Sequence, residues 1–255
     1  MKADRGRALR LSTVAGLAGL VLSGGALAEP EVLAGSASEA ILVLPLNVVT
    51  QMPEQLAQAS PIVWEDLTGY LQDRGRKLKT ARMSDARHLW RESIRAVREQ
   101  GEASAGDFDA ALAELARALA GHAGFATVVV PSLLLREAAV RNRRAEWDET
   151  SESVDFRADT PDARKLALLT RFEGLAPAAS LHLVALDPEG RKVHEALRGL
   201  ELIAAVRIVE DPQEPFVYEY QRDLFQDHAS IRAAIAQALV PLVPLADSAG
   251  DSAGE

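Results

Sequence analysis

Phe125-Ala-Thr-Val-Val-Val130, closed by Pro131, decides the reading of this chain. A short run of β-branched residues between a glycine-rich approach (Gly121 to Gly124) and a proline reads as a strand. A second run, Ala40-Ile-Leu-Val-Leu-Pro45, has the same form. Neither alternates with polar residues, which is the pattern of a strand buried on both faces. The proline at the end of each is expected to terminate it.

Helical spacing fills the interval between the two runs. Pro61 sits where helices start, and Ile62, Val63, Leu67, Tyr70 and Leu71 recur on one face until Gly75. Lys77 to Ala81 reads as a short strand. Ser84 is expected to cap a second helix with Leu89, Trp90, Ile94 and Val97 inside, ending at Gly101. Asp107 is expected to cap a third, with Leu112, Leu115 and Leu119 on its stripe. Beyond Pro131, Leu133–Val140 and Arg144–Phe156 read as two extended arms around an Arg141-Asn142 turn. Leu181–Leu186 and Arg191–Leu197 alternate on either side of Asp187-Pro-Glu-Gly190, a hairpin signal. Leu200–Val209 adds a strand, and Ile231, Ile235, Leu239 and Leu242 define a closing helix that begins at Asp227.

The fold class that follows is α/β (α+β): a mixed β-sheet with two or three helices inserted early, a β-meander or hairpin, and a closing C-terminal helix. Ala40–Leu46, the helices after it, Phe125–Pro131 and the later hairpin resemble the layout of periplasmic α/β domains of the TolB amino-terminal, curli secretion lipoprotein and LpoB-type activator kinds, over roughly residues 40–243. The resemblance implies an assembly or accessory role through protein contacts and carries over no catalytic residue. The chain departs from those families in two ways: it has no cysteine for the lipid anchor of the curli and LpoB-type proteins, and no propeller repeats follow as in TolB.

The N-terminus adds a destination. Lys2, Arg5, Arg7 and Arg10 precede the apolar run Leu11–Leu22 and then Ser23-Gly-Gly-Ala-Leu-Ala28, the order of a cleavable secretory signal. Cleavage is expected between Ala28 and Glu29, with a second possible cut after Ala34. The expected organisation is signal peptide 1–28, linker 29–39, a single α/β domain 40–245 and a disordered acidic tail 246–255. Without a cysteine the chain is not an acylated lipoprotein, and no later apolar stretch has membrane-spanning length, so the expected location is the periplasm. Residues 1–28 hold four of the 28 basic side chains and one of the 37 acidic ones, leaving 24 against 36, a net charge of −12. Such a chain is repelled by nucleic acid and by anionic lipid surfaces.

Chemistry is sparse. The five histidines, His88, His122, His182, His194 and His228, lack the spacing of a zinc site, so no metal or cofactor is expected. His88 and Glu92 read as a solvated pair, and His182 and His194 as surface residues on opposite faces of the hairpin. Ser132 lacks the glycines of a nucleophile elbow. Glu146, Asp148, Glu149 and Glu152 read as a solvated strand face in place of a calcium loop. Arg136, Arg141, Arg143 and Arg144, with Trp147 close behind, form the concentrated basic stretch, suited to an acidic partner or the phosphates and carboxylates of cell-wall polymers, or else to a charged hairpin tip that keeps a sheet edge soluble. If the two buried strands are parallel neighbours, their carboxyl ends also bring Leu46, Asn47, Ser132 and Arg136 to one crevice. The expected function is that of an exported accessory or assembly protein that binds another envelope protein without catalysis. The alternative is a periplasmic hydrolase-like enzyme or small-ligand-binding domain using the crevice at the ends of 41–45 and 125–130.

Overall fold

The computed structural model describes residues 40–101, 107–141, 143–158, 160–163, 165, 172–209, 216–240 and 242–243, all within one compact unit. The expected signal peptide with its Ala28/Glu29 junction, the linker 29–39 and the tail 246–255 lie outside the described residues. The domain is an α/β fold with a mixed sheet and a closing helix.

β1 (Ile41–Val43) is buried throughout and pairs in parallel with β2 (Leu78–Thr80) on one side and with β3 (Thr127–Arg141) on the other. The chain reaches β2 through α1 (Glu54–Ala57) and α2 (Ser60–Asp73), and β3 through α3 (Met83–Gln100) and α4 (Asp107–Ala120). Two crossovers of one hand that depart to opposite sides of β1 must lie on opposite faces of the sheet. Ile41 and Val43 accordingly pack in one core with Val63, Leu67 and Leu71 of α2, while Leu42 and Leu44 pack in another with Trp90 of α3 and Leu112 and Leu115 of α4. The closing helix α5 (His228–Ala238) joins the α2 face through Ile231 and Ile235, and a carboxylate ties the two helices: Asp66 accepts from His228 Nδ1 at 2.8 Å.

Local chemistry sets the helix ends. Pro61 occupies the first turn of α2, and Gly75, at φ +67°, ends it in a left-handed turn in which Gly75 N–H donates to Gln72 O and Arg76 N–H to Leu71 O. Asp227 caps α5 as expected, its carboxylate accepting from the Ser230 amide at 3.2 Å. The other two expected caps differ. α3 starts at Met83, with extended Arg82 before it and no side-chain cap, and Ser84 donates to Asp85 instead. Asp107 is the first helical residue of α4, where its negative charge and that of Asp109 complement the helix dipole.

Pro131 does not end β3. A strand residue points its N–H and C=O to the same side, and Pro131 O accepts from Asn47 N–H at 3.0 Å, on the β1 side. The missing donor therefore faces the spent end of β1 and costs nothing in the ladder on the other edge. That ladder is long: every residue from Val128 to Arg141 is opposite one of β7 (Glu173–Leu186), from Leu186 back to Glu173. β7 turns through Asp187–Arg191 into β8 (Lys192–Leu202), the expected hairpin. Gly190, at φ +82°, lies against α4 so closely that a Cβ would sit 2.5 Å from Ala113 O.

Where β1 stops, β4 (Arg144–Trp147) takes its place on the edge of β3, followed by β5 (Thr150–Ser153). The expected arm Arg144–Phe156 is thus a second hairpin. Its two loop residues, Asp148 and Glu149, both have positive φ, the geometry of a tight turn whose twist suits the flanking strands. β5 reaches round to β8, Thr150 Oγ1 donating to Gly199 O at 3.0 Å, so this half of the sheet curls over a third core of Trp147, Val140, Val154, Phe172 and Leu202. The expected strand Leu200–Val209 is broken at Ile203. There the chain leaves the seven-stranded sheet for a three-stranded one, in which β9 (Ala204–Ile208) pairs in parallel with β6 (Phe156–Ala158) and antiparallel with β10 (Phe216–Tyr220). No helix among the described residues is long and apolar enough to cross a membrane.

Candidate functional site

The crevice expected at the carboxyl ends of β1 and β3 is closed by one of its own residues. Asn47, buried and at φ 57°, donates from Nδ2 to Leu133 O and accepts at Oδ1 from Leu133 N–H, both at 2.9 Å. Its amide serves as one more rung of the β1–β3 ladder, and Nδ2 also donates to Thr50 Oγ1 at 3.0 Å. Ser132 is buried opposite His182. Arg136 lies four residues further along the same face, about 13 Å away at strand spacing. Asn47, Ser132 and Arg136 do not converge.

The arginines divide between two places. Arg136 holds the β4–β5 turn, donating from Nε to Asp148 Oδ2 at 2.9 Å and from Nη2 to Oδ1 at 3.3 Å, while Ser180 Oγ donates to the same carboxylate at 2.7 Å. Arg141 and Arg144 face each other at the hairpin tip, and Arg143, at φ 68°, lays its guanidinium 5.1 Å above the Phe156 ring. Among the described residues Arg144 has only a long, exposed ion pair with Glu146, at 3.9 Å. Trp147 is not a surface partner of this tip. It is buried, with Nε1 donating to Ala179 O at 3.2 Å. The acidic run divides: Glu146 and Glu149 are exposed, as expected, whereas Asp148 is engaged as described and Glu152, half-buried beside β8, accepts from Leu202 N–H at 2.9 Å. Of the two hairpin histidines, His194 is half-buried and donates to Ala238 O at the end of α5, while His182 pairs with Glu195 at 2.9 Å. His88 and Glu92 form the exposed pair expected of them.

The structure assembles a different surface. Leu135, Glu137, Leu175 and Pro177 project from one face of the β3/β7 ladder, the face that α2 and α5 cover nearer β1. Past the helices no element among the described residues covers that face, and Tyr218 and Tyr220 of β10 border it, enclosing a groove of about 770 Å³. Leu135, Leu175, Tyr218 and Tyr220 are 41, 51, 38 and 52% exposed, large for apolar and aromatic side chains that lie side by side. The Tyr218 hydroxyl donates to Leu175 O, fixing the ring as a wall, and burial pushes its pKa up. β10 pairs only with β9 among the described residues, so its other edge has no strand partner among them. The alternation in Phe216-Val-Tyr-Glu-Tyr220 is the sequence signal for β10, but it gives no hint of what lies beneath the tyrosines.

No protein-family model and no curated protein matches the chain. Among solved structures, it is similar to a dodecamer of a PelC variant from Paraburkholderia phytofirmans, at 12% identity over 80% of this chain and 88% of that one, with a TM-score of 0.29. At that score the likeness bears on neither fold nor function.

Proposed function

We propose that this chain is an exported accessory protein of the cell envelope that acts by binding another protein, and that the groove between β10 and the β3/β7 ladder is where it does so. The observation that carries the reading is the exposed strip of Leu135, Leu175, Tyr218 and Tyr220. Aromatic side chains that are rigid and half apolar are favoured at protein interfaces, where they bury area at little entropic cost. The occupant that suits a groove bordered by β10, whose other edge has no strand partner among the described residues, is an extended segment: its backbone pairs with β10 and alternate side chains enter the groove. Periplasmic location follows from the basic, apolar and small-residue order of residues 1–28.

The test is capture from envelope extract of the host by the chain beginning at Glu29. A stoichiometric protein partner is expected, held at least tenfold less well by a folded Leu175→Asp/Tyr220→Ser variant. Equal capture by wild type and variant would remove the groove from the reading. The triple charge reversal Arg141→Glu/Arg143→Glu/Arg144→Glu is the comparator: loss there alone would move the interface to the hairpin tip.

A further inference from the structure

A second cavity, of about 910 Å³, lies at the β2 edge of the sheet, where the start of α3 meets the end of α4. Its volume is in the range of small-molecule sites. The floor is apolar, made by Leu42, Ala86, Leu89 and Leu119, and the rim is basic, made by Lys79, Arg82, His88 and His122. On a chain of net charge −9 this concentration needs a cause. Lys79 is anchored, its Nζ donating to Gly124 O at 2.7 Å, and His88 faces Glu92 at 3.3 Å. The side chains of Arg82 and His122 have no hydrogen-bond or ion-pair partner among the described residues. One carboxylate, Asp85, also lines the cavity, and it is held by the Ser84 hydroxyl at 2.9 Å. The first bond of α3 runs from Ala86 N–H to Arg82 O, and the helix start ahead of it, which has no side-chain cap, includes Ser84 and Asp85 of the cavity lining.

We infer that this cavity binds a small amphipathic anion, a carboxylate or phosphate head on a short hydrocarbon body. Arg82 takes the head, with Lys79 and His122 beside it, and Leu42, Leu89 and Leu119 take the body. An apolar floor alone would accept any hydrocarbon. The unpaired guanidinium at the mouth selects a negative head, because a charge-assisted contact to a carboxylate or phosphate is about twice as strong as a neutral hydrogen bond. This site is remote from the groove of β10 and does not depend on it.

The test is isothermal titration of the purified chain with sodium decanoate below its micelle concentration, with decan-1-ol, inorganic phosphate and phosphatidylglycerol vesicles as separate arms. Decanoate is expected to bind one to one, at least tenfold more tightly than decan-1-ol, with inorganic phosphate weaker still. Arg82→Glu, at an exposed position, should keep the far-UV spectrum and lose at least tenfold in decanoate affinity; Ala123→Phe, which fills the mouth, should lose it while leaving Arg82 in place. Decanoate binding no tighter than decan-1-ol, undiminished binding by Arg82→Glu, or binding confined to vesicles would each overturn the inference.

Discussion

Single side chains settle two of the tightest points in the fold, and both invite substitution. Asn47 replaces a strand rung, so its loss leaves a buried N–H and C=O of Leu133 without partners. Asn47→Ala is expected to cost about 2–3 kcal/mol, read as a lower urea midpoint at unchanged slope. Asn47→Gly keeps the positive φ free of strain and should cost roughly 1 kcal/mol less. At Gly199 a Cβ would stand 2.5 Å from Trp147 Nε1 and 2.6 Å from Thr150 Cβ, so Gly199→Ala is expected to lose about 1–3 kcal/mol and to disturb the indole environment, visible in Trp fluorescence. Neither role could be read from the sequence. Asn47 was legible as a residue at a strand end, but its partner lies 86 positions away; Trp147 next to four arginines suggests a surface, yet the β4–β5 turn directs it inward.

Elements were more legible than residues because their signals are local. The two buried strands, the Pro61 helix, the Asp187–Gly190 hairpin and the Asp227 cap all stand where periodicity and turn chemistry put them. The failures share one cause. Whether Pro131 ends a strand depends on which neighbour its absent N–H would have faced, and whether Arg144–Phe156 is one arm depends on Arg136 and Ser180 gripping Asp148; both are decided by partners distant in sequence. Among the elements, the junction of β5, β8 and the lead into α5 responds to pH. Burial pushes the carboxyls of Glu152 and Glu201 above the ordinary value of 4.5, Glu201 further through the nearby charges of Glu152 and Asp227. An acid with a raised folded pKa binds more protons folded than unfolded, so stability falls as pH rises from 4.5 through the raised value. The Glu152→Gln/Glu201→Gln variant keeps acceptors for the Leu202 and Phe225 amides. It is expected to melt a few degrees above wild type at about pH 8 and to lose that advantage by about pH 4.5 in thermal scans.

For the whole molecule, the sequence carried the architecture and not the surface. Burial of β1 and of the first half of β3 follows from runs without polar alternation, whereas the groove joins residues 135, 175, 218 and 220, whose adjacency is a product of register. At this scale the expected outcome is that the Leu175→Asp/Tyr220→Ser variant retains wild-type melting, since it removes exposed side chains only, while losing its partner. The paired run of β3 and β7 has a further meaning. It extends about 45 Å at strand spacing, with one end clamped between helical layers and the other wrapped around Trp147. Its register runs without a shift from end to end, so it is expected to move as one rigid girder. Spin labels at exposed positions 126 and 173, at the two ends of that run and outside the groove, should therefore report one narrow separation, the same with the groove filled or empty.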